Sequence, residues 1–171
     1  MLIVIALGGN AFTREGARVG SPEEQRERIR LAASDVADMI EEGFDAVITH
    51  GNGPQAGLLA ERVSDYLSLD MIDAATEGWM GYLIANALSN EFMRRGIRRS
   101  PVVVISRSIV NKNDQAFQNP TKYIGPVYDR ENADRLSRER GWVFKWDARG
   151  GFRRVVPSPE PMGIMELDLI R

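Results

Sequence analysis

Leu2-Ile3-Val4-Ile5-Ala6-Leu7-Gly8-Gly9-Asn10 and Asp45-Ala46-Val47-Ile48-Thr49-His50-Gly51-Asn52-Gly53-Pro54 decide the fold. Each opens with a short, mostly apolar run and closes in glycine and asparagine. Residues 2–7 are apolar without alternation, which predicts a strand buried on both faces of a parallel sheet. The glycines predict a turn directly after each strand. Between the two stretches, Ser21-Pro22-Glu23-Glu24 has the form of a helix start: a capping hydroxyl, then proline, then acids in the first turn. Ile29, Ala32, Ala33, Val36, Met39 and Ile40 follow at helical spacing, and Gly43 predicts the stop. A second helix is expected from Pro54 to about Val63, a third from Asp73 to Arg95, and a third strand over Pro101–Ser106. Gly78 and Gly81 inside the third helix would admit another backbone.

The first 106 residues thus read β-α-β-α-α-β, an α/β chain with a mostly parallel sheet in three α/β/α layers. Right-handed crossovers bring the first two strand ends to one sheet edge, where such folds bind ligands. From Asn111 the periodicity fades. A polar helix is expected over Asp129–Arg140, capped by Asp129. Trp142–Trp146 and Phe152–Val156 flank a turn and predict a β-hairpin in a small protruding subdomain. Pro157–Pro161 reads as a rigid connector, and Met162 onwards as the beginning of a helix.

Composition removes whole classes of function. The chain of 171 residues carries 22 Lys+Arg against 24 Asp+Glu, so it lacks the basic surplus that phosphate-backbone binding needs. With no cysteine, disulfides, thiolate nucleophiles and cysteine-ligated zinc are excluded. No apolar run approaches the ~20 residues that span a bilayer. The N-terminal run follows Met1 with no positive region, so a buried strand is expected there rather than a signal peptide.

The two glycine turns are the main candidate site. Glycine lets backbone N–H groups approach an anion, and a helix starting behind the turn adds its dipole. Neither turn carries a P-loop or dinucleotide fingerprint. Lys122 sits in Asn119-Pro120-Thr121-Lys122-Tyr123-Ile124-Gly125, where it reads either as a solvated lysine or as a point charge over a phosphate. His50, the only histidine, reads as a hydrogen-bonded strand end rather than a catalytic group. Trp142 and Trp146 share a face and are expected to pack the hairpin. Arg149, Arg153 and Arg154 form a local basic patch, read either as a solvated face or as an anion attractor. No cluster has metal-ligand spacing.

These residues resemble a family. Ile5-Ala6-Leu7-Gly8-Gly9-Asn10-Ala11 and Thr49-His50-Gly51-Asn52-Gly53-Pro54-Gln55 look like the paired signatures of carbamate kinase, in the amino-acid-kinase superfamily. Glu77-Gly78-Trp79-Met80-Gly81-Tyr82, Asn119-Pro120-Thr121-Lys122 and Arg153-Arg154-Val155-Val156-Pro157-Ser158-Pro159 agree with it, and the likeness runs along the whole chain. The resemblance implies reversible phosphoryl transfer, ATP + carbamate ⇌ ADP + carbamoyl phosphate, with Mg²⁺ as cofactor. By analogy Gly8, Gly9 and Asn10 would hold the transferring phosphoryl, Gly51, Asn52 and Gly53 the carbamate end, and Lys122 would reach in, with Asn10 and Lys122 catalytic. No metal ligand is expected in this chain.

The resemblance further implies a cytoplasmic homodimer in arginine metabolism, with no nucleic-acid or membrane partner. It divides the chain into a carbamoyl-phosphate domain of residues 1–110 and 157–171 and a protruding subdomain of 111–156. The family's nucleotide-binding half has no counterpart here, so the chain alone is expected to be inactive. Three positions depart from the family: Glu77 replaces Gln, Asn111 replaces Asp and Gln115 replaces Pro. The first puts a negative charge near an anion site if that helix end faces it. Two other readings stay open: a catalytically silent dimerisation or binding module, and an amino-acid kinase with a different carboxylate acceptor.

Overall fold

The computed structural model describes residues 1–8, Phe12 and 19–170. Two compact units divide the chain: Met1–Asn52 with Asp70–Ile105, and Gly53–Leu69 with Ser106–Arg171.

In the first unit, strand β1 (Leu2–Leu7) and strand β2 (Asp45–His50) pair in parallel, in register from Leu2 opposite Asp45 to Leu7 opposite His50. Helix α1 (Pro22–Glu41) crosses between them. It begins as the sequence predicts: Ser21 Oγ accepts the Glu24 N–H at 3.2 Å, satisfying one of the donors a helix start leaves open. Helix α3 (Leu69–Arg95) starts four residues earlier than expected and ends at Gly96. Ile29, Ala33, Val36 and Ala37 of α1 meet Met80, Ile84, Leu88 and Phe92 of α3, with Phe12 completing the cluster. Ile5 and Leu7 of β1 and Ile48 of β2 pack against it. The rows 80-84-88-92 and 29-33-37 are the i, i+4 ridges that a helix presents to one side.

A charged clasp closes the far end of these helices. Arg95 of α3 reaches α1, where it pairs with Asp38 and, at 2.7 Å, with Glu41, and donates to Ser34 Oγ at 2.8 Å. Its Nε donates to Glu91 at 2.6 Å, and Arg94 meets the same carboxylate at 2.5 Å. One guanidinium thus satisfies three acidic side chains across two helices, the fork geometry that lysine lacks.

Two expectations for this unit are corrected. β1 is not covered on both faces: Leu2 and Val4 are 59% and 70% exposed, while Ile5 and Leu7 face the core. Among the described residues of this unit, both helices of the cluster lie on the face of Ile5, Leu7 and Ile48. Residues 101–106 form no strand. Apolar composition states a preference for burial, but a strand also needs a backbone ladder. Here a half-open cavity of about 380 Å³, lined by Ile48, Ile84, Leu88 and Val104 together with Asp45 and Arg99, lies between that segment and β2.

In the second unit, helix α2 (Gly53–Val63) packs on strand β4 (Lys122–Tyr128). β4, strand β5 (Val143–Asp147) and strand β6 (Gly151–Val156) form an antiparallel sheet in the order β4-β6-β5. The expected hairpin is β5-β6, and helix α4 (Arg130–Arg140) precedes it, with Asp129 Oδ1 accepting the Asn132 N–H at 2.8 Å. β4 was not foreseen, because Pro126 and Gly125 break its alternation. Strand β3 (Ser108–Val110) pairs antiparallel with strand β7 (Pro161–Ile164), where the sequence pattern suggested a connector and a helix. Only Leu167–Ile170 is helical there, as α5. Backbone pairing with β3 takes the residues that a helix would have used, and Glu166 then holds Arg107 through its backbone N–H at 2.7 Å and its Nε at 2.6 Å.

Met80 is fully buried between α1 and α3. Met80→Ala is expected to cost about 2–5 kcal/mol of stability in urea unfolding. Glu91 has its carboxyl held down to about 2 by hydrogen bonds from Arg94 and then Arg95. Its contribution is therefore complete above the ordinary value of 4.5 and is lost as pH falls toward about 2. Glu91→Gln is expected to melt lower than the parent at pH 7, and the gap should close between those two pH values.

Candidate functional site

The parallel register brings the two glycine turns to one edge. Leu7 lies opposite His50, and the ladder extends one step further, with the Gly51 N–H donating to the Leu7 carbonyl at 3.2 Å. Gly8 and Gly51 therefore follow the strand ends side by side, as the sequence predicts. Gly9 and Asn10, assigned with them, lie outside the described residues.

Neither packing nor backbone conformation demands these glycines. Gly8 and Gly51 have no positive φ, in contrast to Gly43, Gly96 and Gly125. A Cβ added at either would meet no atom of the described residues within 4 Å. Among the described residues these glycines leave the backbone at the strand ends open to close approach.

Asn52 is tied down by α3. Its Nδ2 donates to Thr76 Oγ1 at 2.9 Å, with Asp73 Oδ1 at 3.4 Å. Thr76 is fully buried, and its hydroxyl in turn donates to the Ile72 and Asp73 carbonyls at 3.0 Å. Sequence reasoning missed Thr76, because a single threonine in an apolar helix carries no local signal. Its role depends on a residue 24 positions away. The departure Glu77 is the next residue of α3 and is half-buried. His50 sits edge-on to Phe12, with ring centroids 6.3 Å apart, and its Nδ1 lies 3.4 Å from the Gly51 carbonyl. These contacts match the structural reading of the histidine.

In the second unit, Gly53 opens α2 and is likewise free of positive φ and of neighbours within 4 Å. Lys122 opens β4 opposite Val156, is exposed, and has no ion-pair partner among the described residues. Of the three hairpin arginines, Arg153 and Arg154 are engaged, while Arg149 stays exposed. Arg153 pairs with Asp147 at 2.9 Å and donates to the Gly125 carbonyl at 3.0 Å. That pair, with the Arg149 N–H as the larger cause, holds the Asp147 carboxyl below its usual range. Arg154 stacks on Trp142 at 4.0 Å from the ring centroid, and burial lowers its affinity for a proton. Trp146 packs edge-on against Phe152, as expected for a hairpin face.

An α/β chain whose first two strands run in parallel into glycine turns defines a class, and comparison with known proteins assigns it. The profile of the Amino acid kinase family matches residues 1–135, and the chain belongs to that family. It is 46% identical to the carbamate kinase of Pyrococcus furiosus over 177 aligned positions, covering 99% of this chain and 56% of that protein. It is 42% identical to the carbamate kinase of Clostridium perfringens, covering 100% of this chain and 57% of the relative. Among solved structures, a protein from Aeropyrum pernix K1 superposes with a TM-score of 0.92 at 47% identity, over 99% of this chain and 56% of the other. The carbamate kinase from Giardia lamblia bound to AMP-PNP gives 0.79 at 35% identity, over 99% of this chain and 55% of the other. The chain thus spans a little over half the length of the relatives it matches.

Thr76→Val removes the acceptor that fixes Asn52 while keeping the shape of the side chain. It is expected to cost about 1–3 kcal/mol. Faster amide exchange at Gly51 and Asn52 should accompany the loss, with the β1–β2 ladder still protected.

Proposed function

We propose that this chain is the carbamoyl-phosphate half of a carbamate kinase, working on ATP + carbamate ⇌ ADP + carbamoyl phosphate. The observation that carries this reading is the pair of strand-end glycines that nothing among the described residues requires, in a chain 46% identical to a carbamate kinase. Carbamate is already an anion and needs no general base. The difficulty is to bring its charge against a nucleotide phosphate. Phosphoryl transfer is served by positioning and by positive dipoles around the transferring group.

In this reading the backbone N–H groups of Gly8, Gly9 and Asn10 receive the phosphoryl group. Gly51, Asn52 and Gly53 receive the carbamate end, and the Thr76–Asn52 bond sets the turn. Lys122 supplies a point charge from the protruding subdomain of residues 111–156. Residues 1–110 and 157–171 form the carbamoyl-phosphate domain. ATP or ADP would be held by a part corresponding to the rest of the relatives, and Mg²⁺ would arrive on the nucleotide phosphates. Among the described residues no three His, Asp or Glu side chains assemble into a group able to hold a metal ion. The same reading makes the protein a cytoplasmic homodimer of arginine metabolism. Among the described residues no helix is long and apolar enough to cross a membrane.

The test is ATP formation from ADP and carbamoyl phosphate with Mg²⁺. The 171-residue chain is expected to give none. Joined to the remaining part of the Pyrococcus furiosus enzyme, it is expected to turn over, and Lys122→Ala should then lower kcat about 100-fold. Turnover by the isolated chain that disappears in Lys122→Ala would overturn the half-enzyme reading. Gly51→Ala offers a second check. The variant should keep its stability within about 0.5 kcal/mol, yet lose the amide shifts that carbamoyl phosphate induces at Gly8 and Asn52.

A further inference from the structure

Strand β4 pairs with β6 in two segments that do not share a register. Lys122 lies opposite Val156, Tyr123 opposite Val155 and Ile124 opposite Arg154; beyond a break, Val127 lies opposite Arg153. Three steps along β4 are thus matched by one along β6, and Gly125 and Pro126 stand outside the pairing. The other ladder of β6, with β5, runs from Val143 opposite Val155 to Asp147 opposite Gly151 without a shift. Apolar burial does little to choose the register of β4: Ile124 is its one buried residue, and Lys122, Tyr123 and Val127 are exposed. A strand with so few buried positions specifies its pairing weakly.

Arg153 supplies what burial does not. Its Nε donates to the Gly125 carbonyl at 3.0 Å, so the residue at the break takes with its side chain an acceptor that the ladder leaves out. Its Nη1 donates to Asp147 Oδ2 at 2.9 Å, and Asp147 is buried and accepts the Arg149 N–H at 2.8 Å. The guanidinium also lies over the Tyr123 ring, 5.5 Å from its centroid, and the Tyr123 hydroxyl donates to the Trp146 carbonyl at 2.8 Å. One side chain of β6 therefore grips β4 at Tyr123 and Gly125 and β5 at Asp147. The guanidinium fork serves both acceptors at once, which the single ammonium of a lysine does not.

We infer that Arg153 is a positioning residue for Lys122: it pins the register break of β4 and so decides on which face, and at which point along β6, Lys122 stands. Lys122 and Ile124 share one face of β4, and Tyr123 lies on the other with Arg153. A one-residue slip would exchange the two faces and carry Lys122 with them. All of these contacts lie within the β4-β6-β5 sheet, so a sheet that moves as a body carries them along. The importance of Lys122 rests on the functional reading above; the pinning of the register does not.

Proton–proton contacts across the strands of the 171-residue chain, measured by NMR, read the register directly. The parent is expected to show Lys122 with Val156 and Ile124 with Arg154, beside the β5–β6 contacts of Val143 with Val155 and Trp146 with Phe152. Arg153→Lys keeps a charge for Asp147 but gives up the Gly125 carbonyl. It should split or shift the β4–β6 contacts and leave the β5–β6 set intact. Unchanged β4–β6 contacts in folded Arg153→Lys, whatever its Tm, overturn the inference. Loss of both sets does so too, since it marks a role in stability alone. If Arg153→Lys does not fold, Arg153→Met combined with Asp147→Asn decides by the same contacts, because it leaves no buried charge unpaired.

Joined to the remaining part of the Pyrococcus furiosus enzyme, Arg153→Lys should lower kcat about 100-fold with the KM for ADP unchanged. A full kcat there, in an enzyme that Lys122→Ala cripples, also refutes the positioning role. Insensitivity to Lys122→Ala would instead sink the functional reading and leave the register contacts standing.

Discussion

The parallel ladder between β1 and β2 ends with Leu7 opposite His50, and the rest of the first unit is organised around that register. Because the two strands stop together, Gly8 and Gly51 leave the sheet side by side. A one-residue slip would turn Ile5, Leu7 and Ile48 away from the cluster of Met80, Leu88 and Phe92. The core therefore holds the register, and the register holds the turns. α3 contributes twice: it buries the ridge that fixes the strands, and it offers Thr76 to Asn52 at the turn itself.

The second unit solves a different problem with different means. Its sheet has a small apolar centre at Ile124, Val155 and Val156, and relies on glycine contact, stacking of arginine on aromatic rings and buried ion pairs. Two of the three arginines that look like a basic patch along the chain are taken up by this architecture. Arg153 braces the bend at Gly125, and Arg154 lies over Trp142. Among the described residues Lys122 makes no ion pair and stands exposed at the start of β4.

Membership of the amino acid kinase family and the likeness to carbamate kinases agree with this division of labour. Glycines without positive φ or crowding neighbours distinguish Gly8, Gly51 and Gly53 from Gly43, Gly96 and Gly125, which shape the chain. The distinction separates residues that the backbone conformation requires to be glycine from residues that it does not. Sequence shows both kinds as the same letter.

Local physics was legible in the sequence. The Ser21 and Asp129 caps, the stops at Gly43 and Gly96, the period of α1 and the β5-β6 hairpin all depend on neighbours within a few residues, and they were read correctly. The glycine turns and Lys122 were named as candidates on motif alone. Features that depend on distant partners were not legible. β3 and β7 pair across some fifty residues, Thr76 acts on Asn52 from α3, beyond the helix that follows Asn52, and Gly57 meets Gly125 of β4. Residues 101–106 show the converse: their apolar composition suits a strand, but β2 offers them no ladder. Composition and period set what each segment prefers. Only the tertiary structure decides which preferences find a partner, because hydrogen bonds and close contacts are made between residues that the chain itself keeps apart.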